Sequence, residues 1–417
     1  MPSLPPAPAA GTLAIPFARI YVPFAVGYLL SYLFRMVNAV ISPDLTRELA
    51  LSPGALGFLT GAYFVAFAAL QVPVGMLLDR FGPRRVEPVL LLLAGLGALA
   101  FAFAGDVAGL VAGRALIGAG CAAGLMAPLK AIATWYPPER QASLAGWMMV
   151  AGGTGALLAT APLEAALTVM SWRVVFIVLA ATTFAVAIAI FVRVPDTPKS
   201  AHVVGLAAQW RGVKSVFTHP RFWWIVPLGG FGMGSFMAIQ GLWSVPWLIE
   251  VEGYSRAVAA RHLLVMGGVM LAGYLGLGLF ATRLARRGIL ARHLFAAGYA
   301  LCGLALAAIV FRLPGTYLWW SAYGFGAVVN ILAFTVLNDG LARELTARAN
   351  TAVNLMMFAG SFATQWGIGV VVDAARLALD LDAGGGLRFA FALVLALYVL
   401  SYAWFVRGWR RHARVHA

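Results

Sequence analysis

Arg35 stands as a single charge within an apolar stretch that begins at residue 20 and continues past it toward Pro43. Tyr28, Ser31, Tyr32 and Asn38 lie at i−7, i−4, i−3 and i+3 from it. On a helix these positions share one face, so Arg35 would belong to a polar stripe on an apolar rod. A guanidinium can grip a carboxylate or a phosphate with two parallel hydrogen bonds. A charge at the centre of a bilayer costs about 2.5–3.5 kcal/mol on the insertion scale, so it persists facing water or a partner. No acid stands at i±3 or i±4 to supply that partner. Arg35, with Tyr28, Tyr32 and Asn38, is therefore read as an anion-binding face. The competing reading is a structural pair between helices.

Other polar groups inside apolar runs extend the candidate set. Arg114 lies eight residues on from Asp106, and can either face the same cavity or pair with an acid such as Glu164. Gln240, Trp243, Asn330 and Gln365 are further cavity candidates. A second cluster reads Gly75-Met-Leu-Leu-Asp79-Arg80-Phe-Gly82-Pro-Arg84-Arg85. Asp79 would close a helix, where an acid can meet the positive N-terminus of a neighbouring helix or an arginine. Such a contact can form in one conformation and break in another, so Gly75, Asp79, Arg80, Gly82, Arg84 and Arg85 are read as a gate. The glycines would permit the tight turn and close helix approach. The plainer alternative is a basic loop that sets topology. Lys130 is expected to snorkel toward the membrane surface.

Several other chemistries are excluded. No G-x-x-x-x-G-K-[ST] loop is present, so no ATPase engine is encoded. The six histidines lie in loops or at helix ends, and Cys121 and Cys302 form no metal or disulfide pattern. Gly118, Gly120 and Gly124, like Gly152, Gly153 and Gly155, read as close-packing helix faces. No catalytic pair stands within the apolar runs. Neither an enzyme, a metal site nor a cofactor is expected.

The elements that must position these residues follow from composition. The chain has 417 residues, 62% hydrophobic and 11% charged. A soluble domain carries about 25% charged and about 45–50% apolar residues, so a soluble enzyme is excluded. So is a disordered chain, which would be poor in aromatics. Twelve runs lack Asp, Glu, Lys, Arg and His: 20–34, 49–78, 88–105, 115–129, 141–163, 174–192, 222–249, 263–282, 294–311, 313–338, 349–372 and 389–406. All are read as membrane-spanning helices, since none alternates with the period of a barrel strand. The formal charge is +15, but the basic residues cluster between apolar runs, which fits a membrane protein better than nucleic-acid binding. Most of them fall on one side if both termini are cytoplasmic, and most acids fall on the other.

The longest hydrophilic connection divides the chain into halves. The expected parts are a tail at 1–18, a six-helix bundle at 19–194, a cytoplasmic connection at 195–220, a second bundle at 221–407 and a tail at 408–417. A weak internal repeat supports this. Shifted by 208, the segment 140–152 meets 348–360, with Arg140, Met148, Met149, Ala151 and Gly152 matched. Shifted by 203, Gly75, Arg80 and Arg84 meet Gly278, Arg283 and Arg287, while Thr282 stands opposite Asp79.

The loop at 75–85 resembles the signature of the major facilitator superfamily, G-x-L-a-D-r-x-G-r-k-r. Arg114-Ala-Leu-Ile-Gly118-Ala-Gly120 is similar to that superfamily's R-x-x-x-G-x-G motif. Tyr32-Leu-Phe-Arg35-Met-Val-Asn38 followed by Pro43 resembles helix one of the organophosphate:phosphate antiporters and related anion:cation symporters. There the arginine binds the anionic group of the substrate. Those organophosphate exchangers carry a second arginine in helix seven, where this chain has no charge. The resemblance implies an all-α integral membrane protein with twelve helices in two pseudo-symmetric six-helix bundles. It implies a secondary active transporter of the cell inner membrane that works by alternating access. The departure in helix seven favours a small organic anion or zwitterion, such as a carboxylate, over a phosphate ester. The expected partners are that small-molecule substrate, a proton or counter-anion, and the lipid bilayer, with the protein monomeric. Glu164 and Asp373 fall near the outer ends of the spans, Asp79 and Asp339 near the inner ends. This favours exchange, or a proton coupled through the substrate, over a carboxylate relay. The alternative is a transporter-like sensor that binds ligand without flux.

Overall fold

The computed structural model describes residues 17–196, 214–339 and 343–415. The side chains of residues 17, 281, 282, 343–345, 347 and 412–415 are not described. Most of the expected N-terminal tail, much of the central connection and the side chain of Thr282 therefore lie outside the description.

Among the described residues the regular structure is helical, with no strands. The first bundle holds α1 (Phe17–Leu49), α2 (Pro53–Phe81), α3 (Pro83–Phe103), α4 (Val107–Gly120), α5 (Met126–Trp135), α6 (Pro138–Leu158), α7 (Ala161–Leu167) and α8 (Trp172–Arg193). The second holds α9 (Pro220–Val251), α10 (Arg256–Arg286), α11 (Ala291–Val310), α12 (Thr316–Asn338), α13 (Arg343–Leu379) and α14 (Ala383–Val415). Ten of these are long and apolar enough to cross a membrane, and the bent pair α6 and α7 makes eleven. The expected span at 115–129 is not one continuous helix. A turn at residues 121–125 separates α4 from α5. The glycines around it serve helix contacts: Gly118 abuts the Tyr63 backbone of α2 and Gly120 the Ala94 backbone of α3.

Serine caps start equivalent helices in the two bundles. Ser52 accepts from the Ala55 N–H at the start of α2, and Ser255 from the Val258 N–H at the start of α10. The two are 203 residues apart, the same shift that aligns the loop motif with its second copy.

The bundles meet mainly along α2 and α13, α1 and α9, and α6–α7 with α10. Small residues make the first contact close. A Cβ at Gly57 would lie 2.5 Å from the Gln365 carbonyl oxygen and 3.2 Å from the Trp243 ring. A Cβ at Gly61 would lie 2.8 Å from the Phe362 ring. Glycine at these positions lets the helix backbones approach. Toward Asp79 the bundles part: space around Gly75 on α2, Gly146 on α6 and Gly276 and Gly278 on α10 is open within 4 Å. At that end α5 packs against helices of its own bundle, as do the first turns of α9 and the last turns of α12. The molecule is closed at the end carrying Asp44 and Asp373; at the other end the bundles stay joined as far as Gln71 of α2, which accepts from Asn354 Nδ2 of α13 at 3.1 Å, and open beyond it toward Asp79.

Candidate functional site

Arg35 lies near the middle of α1 and is 7% exposed. Four aromatic rings surround its guanidinium carbon. The centroids of Tyr32, Phe67, Phe358 and Tyr63 lie at 4.6, 5.3, 5.6 and 5.9 Å. Tyr32 comes from α1, Tyr63 and Phe67 from α2, and Phe358 from α13, so the cage spans both bundles. Phe67 and Phe358 themselves meet at 4.4 Å between centroids. The faces of these rings attract a cation, worth about 2 kcal/mol when desolvated. They accept no strong hydrogen bond in return. Among the described residues no acid pairs with Arg35, and its Nε is buried without a partner. The guanidinium therefore keeps donor capacity for an incoming anion.

Arg114 of α4 is fully buried beside this cage. Its guanidinium carbon lies 5.1 Å from the Tyr63 centroid, so both arginines flank one ring. Nη1 donates to the Phe34 carbonyl at 2.8 Å, which fixes the backbone next to Arg35. Its Nε and Nη2 have no partner. Of the two alternatives for Arg114, pairing with Glu164 is not what forms. Glu164 sits on α7, at the closed end, and approaches Arg256 at 3.9 Å instead.

The remaining candidates divide. Tyr28 is buried edge-on to Tyr32 at 5.1 Å, and its hydroxyl reaches Met149 Sδ of α6 at 3.9 Å. Asn38 donates to Thr60 Oγ1 at 3.0 Å and ties α1 to α2. Gln240 donates to Met270 Sδ at 3.4 Å. Trp243 donates to the Gln365 carbonyl at 2.9 Å and fills the wall against Gly57. The Gln365 side-chain amide is buried with neither atom partnered. Asn330 accepts a hydrogen bond from the Tyr299 hydroxyl of α11. Tyr28, Tyr32, Arg35 and Arg114 thus form one cluster. Trp243 is occupied by a helix-to-helix bond, while Asn38 and Asn330 each make one such bond and keep a buried atom, Oδ1 and Nδ2, without a partner. Sequence reasoning passed over Tyr63, Phe67 and Phe358. The first two are four residues apart on α2, a spacing that also serves ordinary packing.

At the open end Asp79 and Lys130 pair at 2.5 Å, joining α2 to α5 within the first bundle. Lys130 is thus an ion-pair partner rather than a snorkelling side chain. Arg84 and Arg85 reach Asp196 at 3.1 and 3.3 Å. Arg80 packs over the ring of Phe81 at 5.0 Å. Gly82 turns the chain from α2 into α3 with φ of +76°, a conformation that favours glycine.

At the closed end two contacts bridge the bundles. Arg256, first residue of α10, reaches Asp44 of α1 at 2.6 Å as well as Glu164. Asp373 of α13 accepts from the Ser52 hydroxyl at 3.0 Å and the Gly54 N–H at 2.8 Å, at the N-terminus of α2. Shifted by 208, Glu164 falls on position 372, one residue from Asp373. Each bundle thus sets an acid against the N-terminus of the equivalent helix in the other, where a negative charge is favoured.

Known proteins resemble this chain in sequence and in shape. A profile of the Major Facilitator Superfamily matches residues 24–365. The hexuronate transporter of Escherichia coli is 28% identical over 274 residues, covering 60% of this chain and 62% of that protein. The probable sulfoacetate transporter of Cupriavidus necator is 25% identical over 258 residues, covering 58% and 60%. The chain thus spans about three fifths of the length of these relatives. A bacterial homolog of the human lysosomal transporter Spinster, in an inward-facing conformation, superposes with a TM-score of 0.75 at 18% identity, covering 94% of this chain and 96% of that one. A D-xylose–proton symporter superposes at 0.69 and 16% identity, covering 93% and 96%. The profile match over most of the chain, on paired helical bundles that carry its loop motif, makes this protein a member of the Major Facilitator Superfamily of membrane transporters.

Proposed function

We propose that the protein carries a small organic carboxylate, of the sugar-acid kind, across the membrane by alternating access. The observation that carries this reading is Arg35: a buried guanidinium held by aromatic faces, with no acid partner and a donor unspent. A substrate carboxylate supplies the missing acceptor, and Arg114 beside Tyr63 adds positive potential to the same place. The aromatic rings that cage the cation offer apolar faces to the carbon skeleton. The relatives named for hexuronate and sulfoacetate transport carry acidic solutes, in keeping with this chemistry.

In this reading residues 19–194 and 221–407 rock about the arginine site, tethered by 195–220. The basic loops place the Asp79 end and both termini in the cytoplasm. The conformation described here is then open to the cytoplasm, with the Arg256 and Asp373 contacts closing the outer side. Substrate binds and leaves by parting one end at a time, in exchange or in proton symport. A monomer suffices, because both walls of the site come from one chain.

The test is counterflow of radiolabelled D-glucuronate into proteoliposomes, with competitors. The reading expects uronates and other small carboxylates to compete and D-glucose not to. Equal competition by D-glucose would overturn the anion reading, and binding without flux would make the protein a sensor.

A further inference from the structure

Glu87 is an acid that the arginine site does not use. It is the fifth residue of α3, is 1% exposed, and has both carboxyl oxygens buried without a hydrogen-bond partner. Among the described residues it is the only fully enclosed acid. In the sequence it follows Arg84 and Arg85 and reads as the edge of a basic loop. The fold instead turns it inward against α1 and α8. A Cβ at Gly27 of α1 would lie 3.0 Å from Glu87 Oε1 and 3.7 Å from Val186 of α8. The carboxyl is seated on bare helix backbone because residue 27 has no side chain.

Titratable groups are present on every helix around it, yet none satisfies it. On α1 these are Arg19, Arg35 and the tyrosines Tyr21, Tyr28 and Tyr32. Tyr63, Asp79 and Arg80 are on α2, Arg114 on α4, Lys130 on α5, Arg193 on α8, and Arg84 and Arg85 on α3 itself. Arg19 donates to the Arg193 carbonyl, Arg84 reaches Phe191 and Asp196, Lys130 pairs with Asp79, and Arg114 donates to Phe34. Neither oxygen of Glu87 meets any of them. An ionised carboxylate enclosed without a hydrogen-bonding or charged protein partner is strongly disfavoured, so this seat suits the neutral acid.

We propose that Glu87 is the proton-binding site that couples transport, a role that rests on the transport reading above. With its proton, the Glu87 side chain bridges from α3 to Gly27 of α1 as described here. To give the proton up, the carboxyl O–H transfers it to a water molecule, leaving a carboxylate that must be hydrated. Hydration requires α1 to lift from the Glu87 side chain at Gly27. The same helix carries Arg35 eight residues further on and Asp44 of the outer contact. The protonation state of Glu87 is thereby tied to the position of both the substrate arginine and the outer closure.

Two measurements on the full chain test this. In lipid nanodiscs at neutral pH, without substrate, infrared spectroscopy should show the carbonyl stretch of a protonated carboxyl that Glu87→Gln removes. Absence of that band from the unmodified protein overturns the proposal. In proteoliposomes, Glu87→Gln should keep D-glucuronate counterflow within about twofold, since it mimics the neutral acid. It should lose accumulation driven by a pH gradient and the substrate-dependent proton flux seen with an entrapped pH dye. Accumulation equal to the unmodified protein, loss of both flux modes, or failure of this neutral isostere to fold overturns the proposal. If the unmodified protein moves no carboxylate at all, the transport reading fails, and the infrared result still decides whether Glu87 holds a proton.

Discussion

The Arg256 guanidinium and the Asp44 carboxylate meet at 2.6 Å and join the two bundles at their closed end. Both side chains are about one quarter exposed, so the pair is only partly shielded from water. Its counterpart is Asp373 on the N-terminus of α2. A contact between bundles exists only while that end is closed. Its energy therefore biases the balance between the two access states rather than the stability of either bundle.

Asp44→Asn should shift that balance toward opening at this end. A partly exposed pair is worth about 1 kcal/mol, or about fivefold in population. A cysteine replacing buried Leu51 should react with a maleimide about fivefold faster in that background. Unchanged labelling would show that the ion pair does not hold the closure.

Asp79→Asn should slow D-glucuronate flux about tenfold while the Kd stays within about twofold, since conformational coupling of this kind is worth 1–3 kcal/mol. The Asp79–Lys130 pair sets α2 against α5 on the face that must close at this end, and it lies away from Arg35, so its loss slows closure and spares the site. Loss of binding in proportion to flux would identify a folding or site defect instead.

Arg114→Ala should lower the Tm of the substrate-free protein by about 3 °C, read by tryptophan fluorescence in detergent. The substitution removes the second hydrogen bond to the Phe34 carbonyl, which keeps its helical partner, and leaves a cavity beside Tyr63, together about 2–3 kcal/mol. A Tm within about 1 °C of the unmodified protein would mean that Arg114 does not anchor α1.

Gly57→Ala and Gly75→Ala should differ. A methyl at Gly57 strikes the Gln365 carbonyl, so it should pry α2 from α13 and speed Leu51→Cys labelling several-fold. At Gly75 there is open space, so Tm should not change. If closure of the Asp79 end brings a neighbour against Gly75, Gly75→Ala slows flux all the same. Normal flux in Gly75→Ala would remove that glycine from the gate.

The sequence made the helical fold and the loop motif legible because both are local. Apolar runs register residue by residue, and residues 75–85 are contiguous. Arg35 was legible because a charge in an apolar run has a cost that calls for an explanation. Its cage was not. Phe358 is more than 300 residues from Arg35, and a phenylalanine in a membrane helix is ordinary. The contact of Arg256 with Asp44 and Glu164 is not legible either, because it depends on how one bundle leans on the other. The turn that splits the span at 115–129 has a local mark, Pro128 in the first turn of α5, whose missing N–H cannot continue the α4 ladder, but hydropathy alone runs straight across it. Glu87 was obscured by its basic neighbours, since sequence adjacency to Arg84 and Arg85 does not reveal which way a helix face points.

The most direct test of the account is equilibrium binding of D-glucuronate to the purified protein, measured calorimetrically for the unmodified chain, Arg35→Lys and Arg35→Ala. An ammonium cannot reproduce the paired hydrogen bonds of a guanidinium. At 1.5–3 kcal/mol for charged bonds, Arg35→Lys should weaken binding by about 10–100-fold and Arg35→Ala by more. Both should leave the substrate-free Tm near that of the unmodified protein. Normal binding and transport in Arg35→Lys, or collapse of the substrate-free protein in Arg35→Ala, would contradict the account and make Arg35 a structural tie.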